Sequence, residues 1–460
     1  MDSDELAGAL IGLWRWAQEN APSPQAEIPR RLREHLGADP SGLEVLTEQL
    51  SEYDHVNVQV ALDALGGERE LIGLSLDRGF RVSLAEVAGS GSKYGVELEP
   101  GPPEYAPVDV GDRTISCLKS GLLLAQADGM PLAVLLAPLD DHGEGGGIQL
   151  QAMSPARATA EAWLARLREL MREHNVYRGK VLAFGGDHPF RPAPLTVRSL
   201  PDVPRDRIVL PERALERIER HTAGLARHRE RLRASGRHVR RGLLLHGPPG
   251  TGKTLSVMYL AGLMPERTVI LLTGRTLGAI GAACSLARSL EPAMVVIEDV
   301  DLIASDRSHF ESAPLLFELL NAMDGLDEDA DLIFVLTTNR PESLEAALAA
   351  RPGRIDLAVE LPLPDAAARR QLFEIYREGL ALAVPDWEPV VAATADTSPA
   401  FIRELFRHAA LAAAEDGREA VSAVDLLASI GELKDQSGRL TAALLGATQP
   451  IGSGWEEDSE

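Results

Sequence analysis

Two cysteines, Cys117 and Cys284, are all that the 460-residue chain holds, far apart and in no Cys-x-x-Cys spacing. So low a count excludes a disulfide framework and a zinc site built on paired thiols. Long apolar runs are missing as well: none reaches the ~18 residues a membrane-spanning helix needs. The opening "MDSDELAGALIGLWRW" is acidic where a secretory leader is basic. These absences lead us to expect a soluble, cytoplasmic protein in a reducing compartment, without a membrane partner. Positive charge is short too, 46 Lys and Arg against 69 Asp and Glu, which leaves a net charge of −23. Such a field repels phosphate backbones, so no nucleic-acid partner is expected. The arginine-crowded stretch from Arg205 to Arg241 runs against this balance. It is interleaved with Glu212, Glu216, Glu219 and Glu230 at helical spacing and carries no aromatics, so it reads as a solvated, ion-paired helix.

What is present suffices for packed interiors: 45% hydrophobic and 25% charged residues in a chain long enough for two or three domains. Residues 1–195 mix short helical and strand-like patterns and are expected to form an α+β domain that holds a client or partner. Within them "LIGLSLDRGFRVSLAEV" and "PLAVLLAPLD" are apolar runs bounded by Gly, Pro and Asp. "SPARATAEAWLARLRELMREHNVY" predicts a helix capped by Ser154, and "KVLAF" a strand after it. "GGDHPFRPAPLTVRSLPDVPRD" is rich in Gly and Pro and reads as an irregular linker. Over 196–365, apolar runs such as "GLLLHG", "TVILLTG", "AMVVIED" and "LIFVLTTN" alternate with helical patterns. Strands apolar on both faces imply a parallel sheet covered by helices on both sides, an α/β fold. Residues 366–435 read as helices only, a helical lid, and 436–460 as a polar tail.

The chemistry concentrates in "GPPGTGKT", Gly247 to Thr254, which follows a strand and opens a helix. That is a phosphate loop in its required context, the mark of a P-loop NTPase sheet. Gly247, Gly250 and Gly252 free the backbone to turn its amides inward, and the helix N-terminus adds partial positive charge. Lys253 neutralises the β- and γ-phosphates of ATP, and the Thr254 hydroxyl ligates Mg²⁺. Pro248, Pro249, Thr251 and Leu255 complete the nucleotide-binding set. "MVVIEDVD" then ends a strand on Glu298 and Asp299, whose side chains diverge because neighbours in a strand alternate. In the usual order of tasks Glu298 faces the metal and Asp299 the attacking water. Asp is one methylene shorter than Glu, so that water must sit closer to the strand, or the strand must shift. Asn339, at the end of "LIFVLTTN", can orient the same water without competing for metal, although an Asn before Arg340-Pro341 also suits a turn.

Taken together, "GPPGTGKT", "VVIEDVD" and "TTNRPESLEAALAARPGRIDLAVELPLPD" resemble the AAA+ ATPases, most closely those of the Cdc48 and proteasomal-ATPase type. The resemblance covers roughly residues 205–431, and it places the segment around Asp206 to Val209 beside the adenine. It implies a ring, a hexamer, that hydrolyses ATP with Mg²⁺ and remodels a protein client. It further makes Arg351 and Arg354 the fingers that reach a neighbour's γ-phosphate, a task suited to a planar, permanently charged fork. Arg403 falls where other branches of the family carry a sensor arginine and the nearest relatives carry none. The Glu-Asp order is similar to that of a mitochondrial member of the family. Two departures stand out. "RTLGAIGAA" lacks the aromatic of the usual pore loop, leaving Leu277 and Ile280 as the bulky groups able to touch a client. The ending "GWEEDSE" lacks a hydrophobic-Tyr docking tail, and no His-Glu-x-x-His occurs. The alternative reading is a slow nucleotide-dependent switch or assembly scaffold.

Overall fold

The computed structural model describes residues 27–74, 83–88, 100–139, 147–185, 194–301, 330–342 and 355–434. The chain divides into two compact units, with the changeover between Val176 and Tyr177.

The first unit is a seven-stranded sheet of β1 (Val45–Ser51), β2 (Arg69–Leu74), β3 (Pro100–Gly101), β4 (Glu104–Asp109), β5 (Thr114–Ala127), β6 (Met130–Leu139) and β7 (Gly147–Met153). They run in the order β1-β7-β6-β5-β2-β3, with β4 paired to β5, and every pairing is antiparallel. Alternation along β6 sends Leu132, Val134 and Leu136 into one core with the helices His55–Leu65 and Arg157–Glu173. Ala133, Leu135 and Ala137 enter the opposite core with Glu27–Leu36 and Leu84–Ala88. The expected helix after β7 forms, but Ser154 does not cap it: its Oγ donates to Pro131 O at 2.8 Å, and the helix starts at Arg157 after an uncapped Ala156.

The second unit contains β8 (Val181–Phe184), β9 (Leu195–Arg198), β10 (Arg241–His246), β11 (Thr268–Leu272), β12 (Ala293–Ile297), β13 (Leu332–Thr338) and β14 (Leu357–Glu360). Their order is β14-β10-β13-β12-β11-β8-β9, parallel throughout except for the β8–β9 hairpin. This is the α/β sheet the apolar runs predict. Two expectations are corrected by it. "KVLAF" pairs with β11 of this sheet and not with the first unit, and "LTVR", inside the stretch read as an irregular linker, is the edge strand β9. Only four residues long and flanked by proline, β9 is too short to show a period.

One face of this sheet packs Leu243, Leu245, Val296 and Val335 against Leu215, Val257 and Leu260 of the covering helices. Helix Ile280–Ser289 lies against β11 and β12. At the amino ends of the strands a fully buried Arg267 pairs with Asp331 and also donates to Ala293 O and Asp331 O. The arginine-rich segment does form ion pairs, but Arg205 reaches Glu212 and Glu219 from a separate short turn, Arg205–Arg207, ahead of helix Glu212–Glu219, and not at the three- and four-residue spacing of one helix.

The stretch expected to form a helical lid is mostly helical: Ala366–Tyr376, Glu388–Ala393, Pro399–Glu415 and Ala423–Lys434 enclose Phe373, Phe401 and Phe406, with Trp387 5.3 Å from Phe373. It is not helical only, because β15 (Ala381–Ala383) and β16 (Ala420–Ser422) pair in parallel inside it. Three residues are too few for an alternating pattern to register.

Candidate nucleotide site

In an open parallel sheet ligands collect outside the carboxyl ends of the strands, where neighbouring loops part. Here β13 inserts between β10 and β12, so the loops after all three strands meet at that edge. The loop after β10 leaves through Gly247, whose φ is +141°. A Cβ there would lie 2.3 Å from Leu361 O, so only glycine allows β14's exit to pass this close. Gly252 (φ +97°) then turns the chain into helix Lys253–Leu263. The loop is braced by the Thr251 hydroxyl donating to Pro248 O at 2.9 Å. Lys253, 7% exposed, donates its Nζ to Gly247 O and Pro248 O at 2.8 and 2.9 Å. Burial pulls its pKa below the usual lysine value, while Asp299 and Asp301 oppose the shift.

Above the loop lies a cavity of ≈ 350 Å³. Its floor is Pro249 to Ser256; Asp299 and Asn339 form one wall, and Ile208, Val209, Leu372 and Tyr376 an apolar end. The lid reaches in with Pro399, Ala400 and Arg403. Ser398 caps that lid helix by accepting Phe401 N–H, and Ala400 N–H donates to Gly250 O at 3.1 Å, joining lid to phosphate loop. Burial raises the pKa of Tyr376 against the lowering pull of Arg403 and Arg207.

The two carboxylates lie just past the end of β12 and take different surroundings. Asp299 lines the cavity and accepts from Asn339 Nδ2 at 3.1 Å. Glu298 is off the cavity wall, and its Oε1 is buried with no hydrogen-bond partner among the described residues. An orphaned buried carboxylate oxygen at this strand tip fits a metal-bound water, and Thr254, exposed on the cavity floor, adds a hydroxyl. Sequence reasoning missed Asp301. It is 7% exposed and accepts Thr338 Oγ1–H at 2.9 Å and Asn339 N–H at 3.2 Å, so it anchors the residue that holds Asp299. The available signal was a third carboxylate two residues beyond Asp299 in the same "EDVD" run.

Four residues expected to act on a neighbour or a client do not join this constellation among the described residues. Arg351 and Arg354 fall outside the described residues. Ile280, expected to touch a client, is instead fully buried at the first position of helix Ile280–Ser289, and a bulky apolar side chain gains more from burial than from exposure to solvent. The Leu277 side chain is outside the described set.

A parallel α/β sheet with a phosphate loop after one strand and paired polar groups after its neighbours defines a P-loop nucleotide-binding unit. The comparison with known families agrees: "ATPase family associated with various cellular activities (AAA)" matches residues 243–363. Residues 243–363 are thus similar to the ATPase domain of that family. It is 34% identical over 214 residues to ATP-dependent zinc metalloprotease FtsH 2 of Sphaerobacter thermophilus, covering 44% of this chain and 33% of that one. It is 34% identical over 218 residues to proteasome-activating nucleotidase 1 of Halobacterium salinarum (44% and 53%). With 26S proteasome regulatory subunit 4 homolog B of Arabidopsis thaliana the identity is 35% over 201 residues (40% and 45%). The chain thus spans a third to about half the length of these relatives. Among the described residues no helix is long and apolar enough to cross a membrane.

Proposed function

We propose that the chain hydrolyses ATP to ADP and phosphate and uses the cycle to remodel a protein client. On this reading it works in the cytoplasm as a homo-oligomeric ring, a hexamer, without a nucleic-acid or membrane partner. The observation that carries the proposal is the Asn339–Asp299 hydrogen bond facing Lys253 across one cavity. Lys253 and the loop amides hold the phosphates. The apolar end at Ile208, Val209, Leu372 and Tyr376 takes the base. Thr254 and Glu298 would hold magnesium, which when bound would neutralise charge on the transferring phosphoryl group. Asp299 receives the proton of the attacking water while Asn339 fixes the carboxylate's direction. Arg403 contributes positive charge from the lid, and Arg351 and Arg354 serve the neighbouring subunit's site. The proteasome-activating relatives support a protein as the client. Residues 1–176 supply the surface that selects it, the lid covers 366–435, and 436–460 is a tail.

Asp299→Asn keeps nucleotide binding and loses turnover by about 10²-fold or more, the usual effect of removing a water-activating group. Steady-state phosphate release beside equilibrium ATP binding measures both. Turnover equal to wild type would remove Asp299 from the role. The second reading, a slow switch or scaffold, is favoured by the burial of Ile280 and the position of Glu298 off the cavity wall. It predicts a low rate that no protein partner stimulates.

A further inference from the structure

Along a regular strand in the middle of a sheet, successive N–H groups point to opposite neighbours. After β12 that rule breaks. Glu298 N–H donates to Leu272 O on β11, so the next donor belongs to β13 and the one after it to β11 again. Instead, Asp299 N–H and Val300 N–H both turn to Thr337 on β13. Thr337 carbonyl oxygen takes Val300 at 3.0 Å, and its hydroxyl oxygen takes Asp299 at 3.1 Å. The cause is the backbone of Asp299, at φ +52°, a left-handed conformation that Asp tolerates better than most side chains. The turn leaves two consecutive donors facing one residue, and a backbone carbonyl alone serves one of them here. The second acceptor must come from a side chain, and Thr337, 2% exposed, provides it.

We propose that Thr337 is a positioning residue for ATP hydrolysis, its hydroxyl fixing the left-handed turn that lays the short carboxylate of Asp299 onto Asn339. The inference rests on the ATPase reading above and deepens it. The reversed Glu-Asp order and the left-handed turn then form one device: the backbone rotation redirects a side chain one methylene shorter than Glu. Asp301, accepting Thr338 and Asn339, ties the other end of the same two segments, so the aim of Asp299 is fixed from its backbone and from its partner.

The test uses the full chain with Thr337→Val, which keeps the shape and removes the acceptor, Thr337→Ser, which keeps the acceptor, and Thr337→Ala in case Val does not fold. In Mg²⁺-ATP hydrolysis, Val and Ala lower kcat by about tenfold or more with KM within about threefold, while Ser stays within about threefold of wild type. Asp299→Glu, which restores the longer acid on a backbone that disfavours it, also loses kcat rather than gaining it. The proposal is overturned if Val or Ala retains full kcat, if Ser falls as far as Val, or if ATP affinity falls in step with kcat. A wild-type protein that binds ATP without turnover overturns the ATPase reading and this proposal together. That case is distinguishable, because wild type and every variant are then equally inert.

Discussion

Both units are built on seven-stranded sheets with helices packed on them, yet among the described residues a phosphate loop with a carboxylate and an amide beside it forms in the second. The difference lies in strand direction. In the parallel sheet β10, β12 and β13 all finish at one edge, so Gly247, Asp299 and Asn339 fall within reach of one another although some 90 residues apart. In the antiparallel sheet successive strands finish at opposite edges, and the loops that could carry chemistry are shared between two ends. The polar groups buried there serve the scaffold. Gln151 Oε1 accepts Leu84 N–H and its Nε2 donates to Thr47 Oγ1, while Asn57 Oδ1 accepts Val176 N–H. A parallel sheet gathers function, whereas an antiparallel one offers surface, in keeping with a proposed division between a motor and a client-holding domain.

The strongest test of the motor half concerns what a single subunit lacks. If Arg351 and Arg354 act on a neighbour's phosphates, a monomer holds Lys253, Asp299 and Asn339 but no transition-state arginine. An arginine finger is worth roughly 10³–10⁵ in rate, so Arg351→Ala with Arg354→Ala abolishes measurable turnover, and wild-type activity rises more than linearly with protein concentration. Mixing that double variant with Lys253→Ala restores turnover, because some interfaces then pair an intact loop with intact arginines. A mixture that co-assembles and stays dead shows that the arginines do not act in trans.

The scaffold half breaks differently. Leu135 is fully buried in the core shared with Glu27–Leu36 and Leu84–Ala88, which among the described residues draws only on the first unit. Leu135→Ala removes buried methyl groups and leaves a cavity, destabilising by on the order of 2–5 kcal/mol. Followed by denaturant, the loss falls on one transition while ATP binding persists through it. Loss of ATP binding at the same denaturant concentration would mean that the two units unfold as one.

Legibility in the sequence followed locality. The four long apolar strands and the phosphate loop could be read because each signal lies within about ten consecutive residues. Strand β8 could be read as a strand but not assigned to its sheet: its partner β11 is some 90 residues away, and the pairing is fixed by bonds such as Val269 N–H to Lys180 O at 2.9 Å. Thr337 and Asp301 escaped for a related reason. A threonine in a run "VLTTN" resembles any strand residue until the neighbouring chain turns left-handed beside it. Arg403 needed the lid folded back over the loop, which the Ala400 to Gly250 bond records. The family resemblance placed Ile280 near a client, and its side chain is buried in this chain.

The smallest effect expected separates the lid from both sheets. Asp425 sits at the start of the last lid helix, where it accepts both Arg418 guanidinium nitrogens at 2.6 Å, Ser422 N–H at 2.7 Å and Ser422 Oγ–H at 2.8 Å. Arg418 and then Ser422 hold its carboxyl well below the usual carboxylate range, against the opposing pull of burial. A carboxyl lowered on folding contributes stability that is fully present above its unfolded pKa, ~3.9, and is lost as pH falls toward the folded value. The lid therefore loosens on acidification below about pH 4, and not on moving from pH 8 to pH 6. Asp425→Asn removes that acid-dependent part, so its melting temperature is lower than wild type at neutral pH and the gap closes as pH drops. Arg418 is partly solvated, which keeps the neutral-pH gap small. Fluorescence of Trp387, which lies in the lid core beside Phe373 and Phe406, reports the transition after the other tryptophans are replaced by Phe. A gap that stays constant from pH 7 to pH 3 would remove the Asp425 charge from the lid's stability.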